Sequence, residues 1–485
     1  MLNMSRPELS IRPDPRRVVA RPFIPGFVGT LDALGGSRVD QIVERILGLP
    51  HNEVADELAR TRELFGHRHR DLEERWEANF VEALPHSPRL LSVTGDLRLL
   101  IGAYFTQEYS FEAAALCNPS IVADPTWTGN GSLKFIMSAR AIGEGHISSI
   151  EFRTGTVTDA GDVVFEEVGS LVATGTRTSV VYQKLSFLAR LVELGADPNI
   201  ADEILGQLPD RFTANDLAME LPNLDAPASY RASAFETIRL IHWLASSNYR
   251  LEFVNGPLSE RLIFPAGPSD SHGMEDARFV RFVDDDGSST YYATYTAYDG
   301  FQILPQLIET SDFLAFDITT MSGLSARNKG LALFPVKIDG SYAALSRHDR
   351  ERLYLSYTDD IRIWDASELI YEPRAPWEVV QIGNCGSPIE TEEGWLVITH
   401  GVGPMRRYCL GAMVLDRKDP SQVLGRLPRP LLEPGESERD GYVPNVVYSC
   451  GGLVHGENLV LPYGVADHSI GIAIIPVRSL MEEMI

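Results

Sequence analysis

Apolar positions recur along this chain in two rhythms, and the change from one to the other divides it. Val39, Ile42, Val43, Ile46 and Leu47 form one stripe at helical spacing, and Leu72, Trp76, Phe80 and Leu84 form a second at strict four-residue intervals. Pro50 and Pro85 punctuate these segments, which predict a helical packing layer. From about residue 110 the rhythm shortens. Segments 132–139, 146–154 and 162–172 read as short strands separated by Gly, Asp and Asn. Helical signals return at 187–194, which stops at Gly195 with Pro198 beyond, and at Phe235, Ile238, Ile241 and Ala245. From about 250 to 476 the pattern is strands and turns almost throughout, as at 291–296, 330–334, 342–346, 353–357, 395–400, 409–415 and 459–463. Asp286-Gly287, Asp299-Gly300 and Asp339-Gly340 mark turns among them.

Many short, evenly spaced strands predict a sandwich, a barrel or a propeller. Strand pairs ending in polar clusters recur about every 50 residues, which favours a propeller. The expected organisation is an N-terminal arm (1–37) and helical region within 1–109, a first group of strands at 110–180, a helical insertion at 181–247 and the remaining strands at 248–485. At 485 residues the chain is long enough for two or three folding units.

Composition narrows the function classes. The formal net charge of -24 repels a phosphate backbone, so nucleic acid is not an expected partner, although a local cationic pocket for one small anion remains compatible with it. No apolar run approaches the roughly 18 residues of a membrane span, and the N-terminal residues lack the apolar core of a signal peptide. Cys117, Cys385, Cys409 and Cys450 are far apart and form no metal-binding pair. Reduced thiols in a cytoplasm, with no metal, are the simplest expectation.

Three polar clusters could carry chemistry. The densest is Ser271-His-Gly-Met-Glu-Asp-Ala-Arg278, followed by Tyr291-Tyr-Ala-Thr-Tyr-Thr-Ala-Tyr-Asp-Gly300. In an extended segment Glu275 and Asp276 point to opposite sides, so one could face a site while the other pairs with Arg278. A carboxyl kept protonated by burial can serve as a general acid, and the plain alternative is a charged turn with a structural ion pair. In the second cluster His400 ends a strand and is followed by glycines and by Arg406, Arg407 and Tyr408, a set that could bind an anion or be a solvated turn. The third, Gly441-Tyr-Val-Pro-Asn-Val446 with Leu461-Pro-Tyr-Gly-Val-Ala-Asp467-His468, places a Tyr near a strand-end Asp. That pairing suits a sugar as well as it suits an ordinary strand end. No Gly-x-Gly-x-x-Gly, Walker A, HExxH or Gly-x-Ser-x-Gly motif is present, which argues against a nucleotide cofactor, zinc protease chemistry and the usual serine hydrolase scheme.

Taken in order, these motifs resemble glycoside hydrolase family 130, the mannoside phosphorylases and their hydrolytic relatives. The resemblance is carried by Gly273-Met-Glu-Asp-Ala-Arg278, Tyr295-Thr-Ala-Tyr-Asp-Gly300, Leu331-Ala-Leu-Phe-Pro-Val-Lys-Ile338 with Tyr342-Ala-Ala-Leu-Ser-Arg347, residues 394–401, Asp419-Pro and Tyr463-Gly-Val-Ala-Asp467. It implies a mainly β fold, a five-bladed β-propeller, to which this chain adds the N-terminal helical region and the helical insertion. Cys117-Asn-Pro-Ser120 and Phe135-Ile-Met-Ser-Ala-Arg140 resemble the family's first blade. The implied activity is inverting cleavage of β-mannosidic bonds in manno-oligosaccharides. Asp276 falls on the general acid, with Glu275, Arg278, Tyr298, Asp299, Asn445 and Asp467 as sugar-side residues.

In phosphorylases of the family inorganic phosphate is the nucleophile and mannose 1-phosphate a product; in hydrolases the nucleophile is water. Phosphate carries about two negative charges near neutral pH and needs fixed cationic donors. Arg140, Lys329, Arg347, His400 and Arg407 are the candidates, with His348 as a further one. Against them, family phosphorylases carry an Arg shortly after Tyr-x-x-x-Asp-Gly, where this chain reads Phe301-Gln-Ile-Leu-Pro-Gln306 with Leu304. A hydrolase needs a carboxylate base across the cleft, for which Glu436 and Glu438 stand available. The expectation is a phosphorylase with a β-mannoside and phosphate as substrates and no cofactor. A β-mannosidase and a non-catalytic mannoside-binding propeller are the alternatives. The extra helices could cap the channel mouth, narrow the substrate range or form a homo-oligomer interface.

Overall fold

A computed structural model of the chain describes residues 4–7, 9–25, 38–129, 131–221 and 231–484. Residues 26–37 of the expected N-terminal arm, and 222–230 of the expected insertion, lie outside these. The fold is mainly β with added helices, in two compact units, residues 14–113 with 169–173 and the remainder.

The smaller unit is helical. Helices Arg38–Leu47, His51–Phe65, Leu72–Ala83 and Gly95–Tyr104 join a two-stranded ribbon, Val18–Pro22 with Thr106–Ser110. The stripes read from the sequence form its core: Val39, Val43 and Ile46 pack with Trp76 and Phe80. Gly102 makes this packing feasible, because a Cβ there would stand 2.1 Å from the Trp76 carbonyl oxygen.

Five antiparallel sheets dominate the larger unit. The first runs Leu262–Ile263, Ser148–Val157, Leu133–Ile142, Ala115–Ala123. The second runs Gly273–Val283, Ser289–Tyr298, Ile303–Thr310, Ala315–Thr320, Tyr249–Glu252, Thr176–Thr178. The third comprises Ala332–Leu333, Tyr342–Ser346, Leu353–Thr358 and Glu368–Tyr371, and the fourth Gln381–Asn384, Trp395–Val402, Tyr408–Leu415 and Val423–Arg426. In the fifth, Asn458–Val465 lies between Val447–Tyr448 and Ser469–Pro476, and Ser5 and Ile11 pair with Ile474 and Ile470 along the outer edge.

Consecutive sheets share apolar layers. Ile136 and Phe152 of the first meet Phe279 and Tyr291 of the second. Val280 and Leu307 meet Leu333 and Ala344 of the third, Leu345 and Leu355 meet Trp395 and Val397 of the fourth, and Leu396 and Leu410 meet Leu461 and Ala473 of the fifth. The fifth returns to the first, with Cys450 N donating to Pro119 O at 2.7 Å and Leu116 N to His468 O at 3.1 Å. Between Thr176–Thr178 and Tyr249–Glu252 of the second sheet the chain forms helices Lys184–Glu193, Pro198–Gly206, Ala214–Glu220 and Arg231–Ser247, which bury their own core around Phe187, Leu191, Ile204 and Ile241. Among the described residues no helix is long and apolar enough to cross a membrane.

Polar residues gather where each sheet begins. Asn118, Asp276, Asn328 and Asn445, at or just before the first strands of four sheets, have positive φ of 49°, 58°, 63° and 62°. Asn and Asp accept this conformation best among residues with a side chain. Hairpins between the next two strands bear left-handed residues as well, at His146, Gly300, Arg350, Met405 and Asp467.

Candidate active site

Asp276 does not follow the simple alternation expected of an extended segment. The pairing of Gly273–Val283 with Ser289–Tyr298 shifts between Glu275 and Arg278, a bulge that sets Asp276 at φ 58°. Both carboxylates therefore reach one guanidinium. Arg140, on Leu133–Ile142, lies 2.9 Å from Glu275 Oε1 and 3.7 Å from Asp276 Oδ1. Lys329 Nζ contacts the other oxygen of Glu275.

Arg278 secures this geometry from behind. Its three nitrogens donate to the Asp276 carbonyl at 2.7 Å, the Cys385 carbonyl at 2.8 Å and the Tyr448 hydroxyl at 2.8 Å. One of them also lies 3.8 Å from Asp276 Oδ2. Asn118 Nδ2 donates to Asp276 Oδ1 at 2.6 Å. The left-handed aspartate is thus held through both its carbonyl and its carboxylate.

The charges decide its state. Burial pushes Asp276 up, but Arg278, Arg140, Lys329 and the Asn118 amide together outweigh burial and hold the carboxyl below its ordinary 3.8. Asp467 lies under the same field with the opposite result. Burial and the repulsion of Asp276 and Glu275 outweigh Arg140 and Arg406, and it is pushed up to about 6.

A second cationic group stands beside this one. His400 and Gly383 are cross-strand partners, and a Cβ on Gly383 would lie 2.7 Å from Arg347 Cδ and 2.8 Å from His400 Cε1. Glycine therefore admits the arginine against the imidazole. Burial, Arg347 and Arg278 push His400 well below 6.5, so it is neutral. Its ring is parallel to Tyr408 at 6.2 Å and edge-on to Tyr448 at 5.0 Å. Both His400 nitrogens, Arg347 Nε, Arg140 Nε and Asn118 Oδ1 are buried without a hydrogen-bond partner. Such orphans are rare in proteins and gather where a polar ligand completes them.

Other expected residues make structural contacts of their own. Tyr298 donates to the Gly300 carbonyl, and Asp299 accepts from the Phe301 and Gln302 amides, so both shape a turn. The Asn445 carbonyl accepts from the Tyr408 amide at 3.0 Å. Arg407 pairs with Glu433, and it is Arg406 whose charge reaches Asp467. The His348 ring packs on Tyr354 at 4.2 Å. Glu438 is engaged by Arg6, Tyr463 and the Gly435 amide, which anchors the N-terminal segment and leaves it poorly placed as a base. Leu304 is buried in the apolar layer with Ala297 and Met274, on the face opposite Glu275, so no charge is missing from the cluster at that point.

Neither Asn118 nor Tyr448 is among the expected site residues, although Asn118 lies in the Cys117-Asn-Pro-Ser120 stretch. For Asn118 the signal is an Asn-Pro step opening a buried strand; for Tyr448 nothing local announces it. Among the described residues no group of three or more His, Cys, Asp or Glu could hold a metal ion.

A family model described as β-1,4-mannooligosaccharide phosphorylase, that of glycoside hydrolase family 130, matches residues 229–484. The chain is 37% identical over 212 residues to the 1,2-β-oligomannan phosphorylase of Thermoanaerobacter sp. strain X514, across 43% of this chain and 70% of that protein. It is 31% identical over 229 residues to the β-1,2-mannobiose phosphorylase of Listeria innocua, across 46% of this chain and 63% of that one. The crystal structure of the Listeria innocua enzyme with β-1,2-mannobiose superposes with a TM-score of 0.44 at 20% identity, over 76% of this chain and 92% of that one.

Proposed function

Because the chain belongs to glycoside hydrolase family 130, we propose that it is an inverting phosphorylase of β-mannosides, releasing mannose 1-phosphate. The observation that carries this reading is the gathering of Asp276 with Arg140, Lys329 and Arg278 beside the pair of Arg347 and His400. A water nucleophile has no use for so many fixed cations, whereas a phosphate needs them. The five sheets, each packed on the next, are taken as the blades of a five-bladed propeller with the site at one end of its central channel.

In this scheme Arg140, Lys329, Arg347 and His400 seat the phosphate, while Asp467 and Asn445 meet the mannosyl unit. A phosphate oxygen bonds to the anomeric carbon as the bond to the leaving sugar breaks, and configuration inverts. Asp276 supplies the proton that the leaving oxygen takes, through a hydroxyl of the bound mannosyl unit.

Asp276 is ionised while no phosphate draws on its cations. An arriving phosphate places negative charge on Arg140 and Lys329, weakens their hold on Asp276 and lifts its affinity for a proton. The co-substrate thereby readies the acid. No cofactor is required. The four buried cysteines carry no disulfide, which suits a reaction in the cytoplasm.

β-1,2- and β-1,4-mannobiose, incubated with and without phosphate, test the proposal. Mannose 1-phosphate is expected only with phosphate, and the β-1,2 linkage comes first because relatives at 37% and 31% identity carry it in their names. Free mannose released without phosphate would refute the reading. Hydrolysis is the weaker alternative because, of the two carboxylates proposed as its base, Glu438 is already committed to Arg6 and Tyr463 and Glu436 is exposed on the same short turn.

A further inference from the structure

We propose that Tyr448 contacts the phosphate: its hydroxyl, held by Arg278, donates its own proton to an oxygen of the attacking anion. The proposal rests on the phosphorolytic reading and adds a residue that neither the motifs nor the cationic set contains.

Tyr448 belongs to Val447–Tyr448, the first strand of the fifth sheet, and is buried. Arg278 donates to its oxygen at 2.8 Å. A phenol used as an acceptor keeps one proton to give, and among the described residues no hydrogen bond uses that proton. Burial holds Tyr448 well above its ordinary 10, more strongly than Arg278 draws it down, so the group stays a donor at any working pH. A buried donor with no acceptor calls for a ligand or a water.

Its surroundings favour an anion. The Arg278 nitrogen that grips Tyr448 also lies 3.8 Å from Asp276 Oδ2, which ties the hydroxyl to the acid through one atom. On its other side the ring stands edge-on to His400, whose two nitrogens lack partners and which lies against Arg347. Tyr448 therefore bridges the acid and the second cationic group, the space a nucleophilic phosphate must occupy. A neutral donor has an advantage there over one more cation. It binds the anion without drawing Asp276 further below the range in which it can carry a proton.

Tyr448→Phe removes one oxygen and keeps the ring among its aromatic neighbours. The expected result is a KM for phosphate raised about tenfold or more, as for loss of one charge-assisted donor. The inhibition constant of sulfate should rise in parallel, with unchanged affinity for mannobiose in phosphate-free buffer. An unchanged phosphate KM and sulfate constant would overturn the proposal. So would a fall in kcat alone with a displaced pH profile, because Tyr448 would then act only through Arg278 and Asp276. A readout free of any variant is a crystal of the unaltered enzyme soaked in phosphate. An anion oxygen about 2.5–3.0 Å from the Tyr448 hydroxyl supports the assignment, and an anion seated beyond reach of it refutes it. Should the unaltered enzyme show no phosphate-dependent turnover, the phosphorolytic reading falls first and the role of Tyr448 falls with it.

Discussion

Asp270 and Asp276 are six residues apart, both largely removed from water, and their affinities for a proton are shifted in opposite directions. Asp270 accepts hydrogen bonds from the Tyr249 hydroxyl at 2.5 Å, the Gly267 amide at 2.8 Å and the Tyr295 hydroxyl at 3.3 Å, and among the described residues no cation bonds to it. Burial outweighs these neutral donors and pushes it up to about 6. Asp276 suffers the same desolvation but stands among Arg278, Arg140 and Lys329, and is held down. Burial thus raises the energy of both charges, and the formal charge of the partners decides in which direction each carboxyl is shifted. Asp270, satisfied by neighbours that have nothing further to offer, is a structural tie. Asp276 shares its cations with Glu275 and with whatever anion enters, so its state depends on occupancy.

The contrast can be broken in order of effect. Asp276→Asn should reduce phosphorolysis by about 10²–10⁴-fold, the range for loss of a general acid, while the melting temperature stays within a few degrees. Full activity in mannose 1-phosphate release would end the assignment. Lys329→Met should come next, with a phosphate KM raised about tenfold and little change in mannoside affinity by calorimetry.

Asp270→Asn should do the converse. Activity per folded molecule is retained, and stability falls by about 1–3 kcal/mol as buried hydrogen bonds are compromised, read from urea unfolding. Its pH signature follows from the sign of the shift. A raised pKa means that native Asp270 binds a proton more tightly than the unfolded chain, so its contribution is complete below 3.8 and is lost as pH rises to about 6. Removing the carboxyl should flatten that part of the stability profile; Asp467, also raised to about 6, adds a second such component. Asp276, being lowered, contributes in the opposite sense, its stabilisation disappearing only as pH falls below 3.8. The smallest effect is expected from Glu438→Gln, which weakens the tie to Arg6 and Tyr463. Melting should drop by a few degrees at most and turnover should be unchanged.

Local signals made much of this readable in advance. The helical stripes at 39–47 and 72–84 correspond to Arg38–Leu47 and Leu72–Ala83, and the Gly195 stop follows Lys184–Glu193, because periodic burial and helix termination are written in neighbouring residues. The strands between 250 and 476 were visible for the same reason. Long-range pairing was not. Thr176–Thr178 pairs with Tyr249–Glu252 across the entire insertion, and Leu262–Ile263 returns to Ser148–Val157, neither of which any local pattern specifies. In the site, the motif around Asp276 stood out. The bulge that brings Glu275 and Asp276 to the same arginine did not, because a register shift depends on the partner strand. Arg406 and Arg407 are adjacent, and only the turn at Met405 and Arg406, with φ of 58° and 53°, decides which of them reaches Asp467.

The pairing of Ser5 and Ile11 with Ile474 and Ile470 has a temporal side. Ser5 and Ile11 are made long before the strand whose outer edge they cover. Until Ser469–Pro476 is made those early residues lack the strand they pair with, and its edge is open to any extended strand until they dock on it. The turn bearing Asp467 precedes that strand directly, so the part of the site proposed to meet the mannosyl unit takes its place only once Ser469–Pro476 has paired with Asn458–Val465. Ribosome-bound nascent chains that stop short of residue 469 should therefore lack mannoside binding even with every residue of the Asp276 cluster already made.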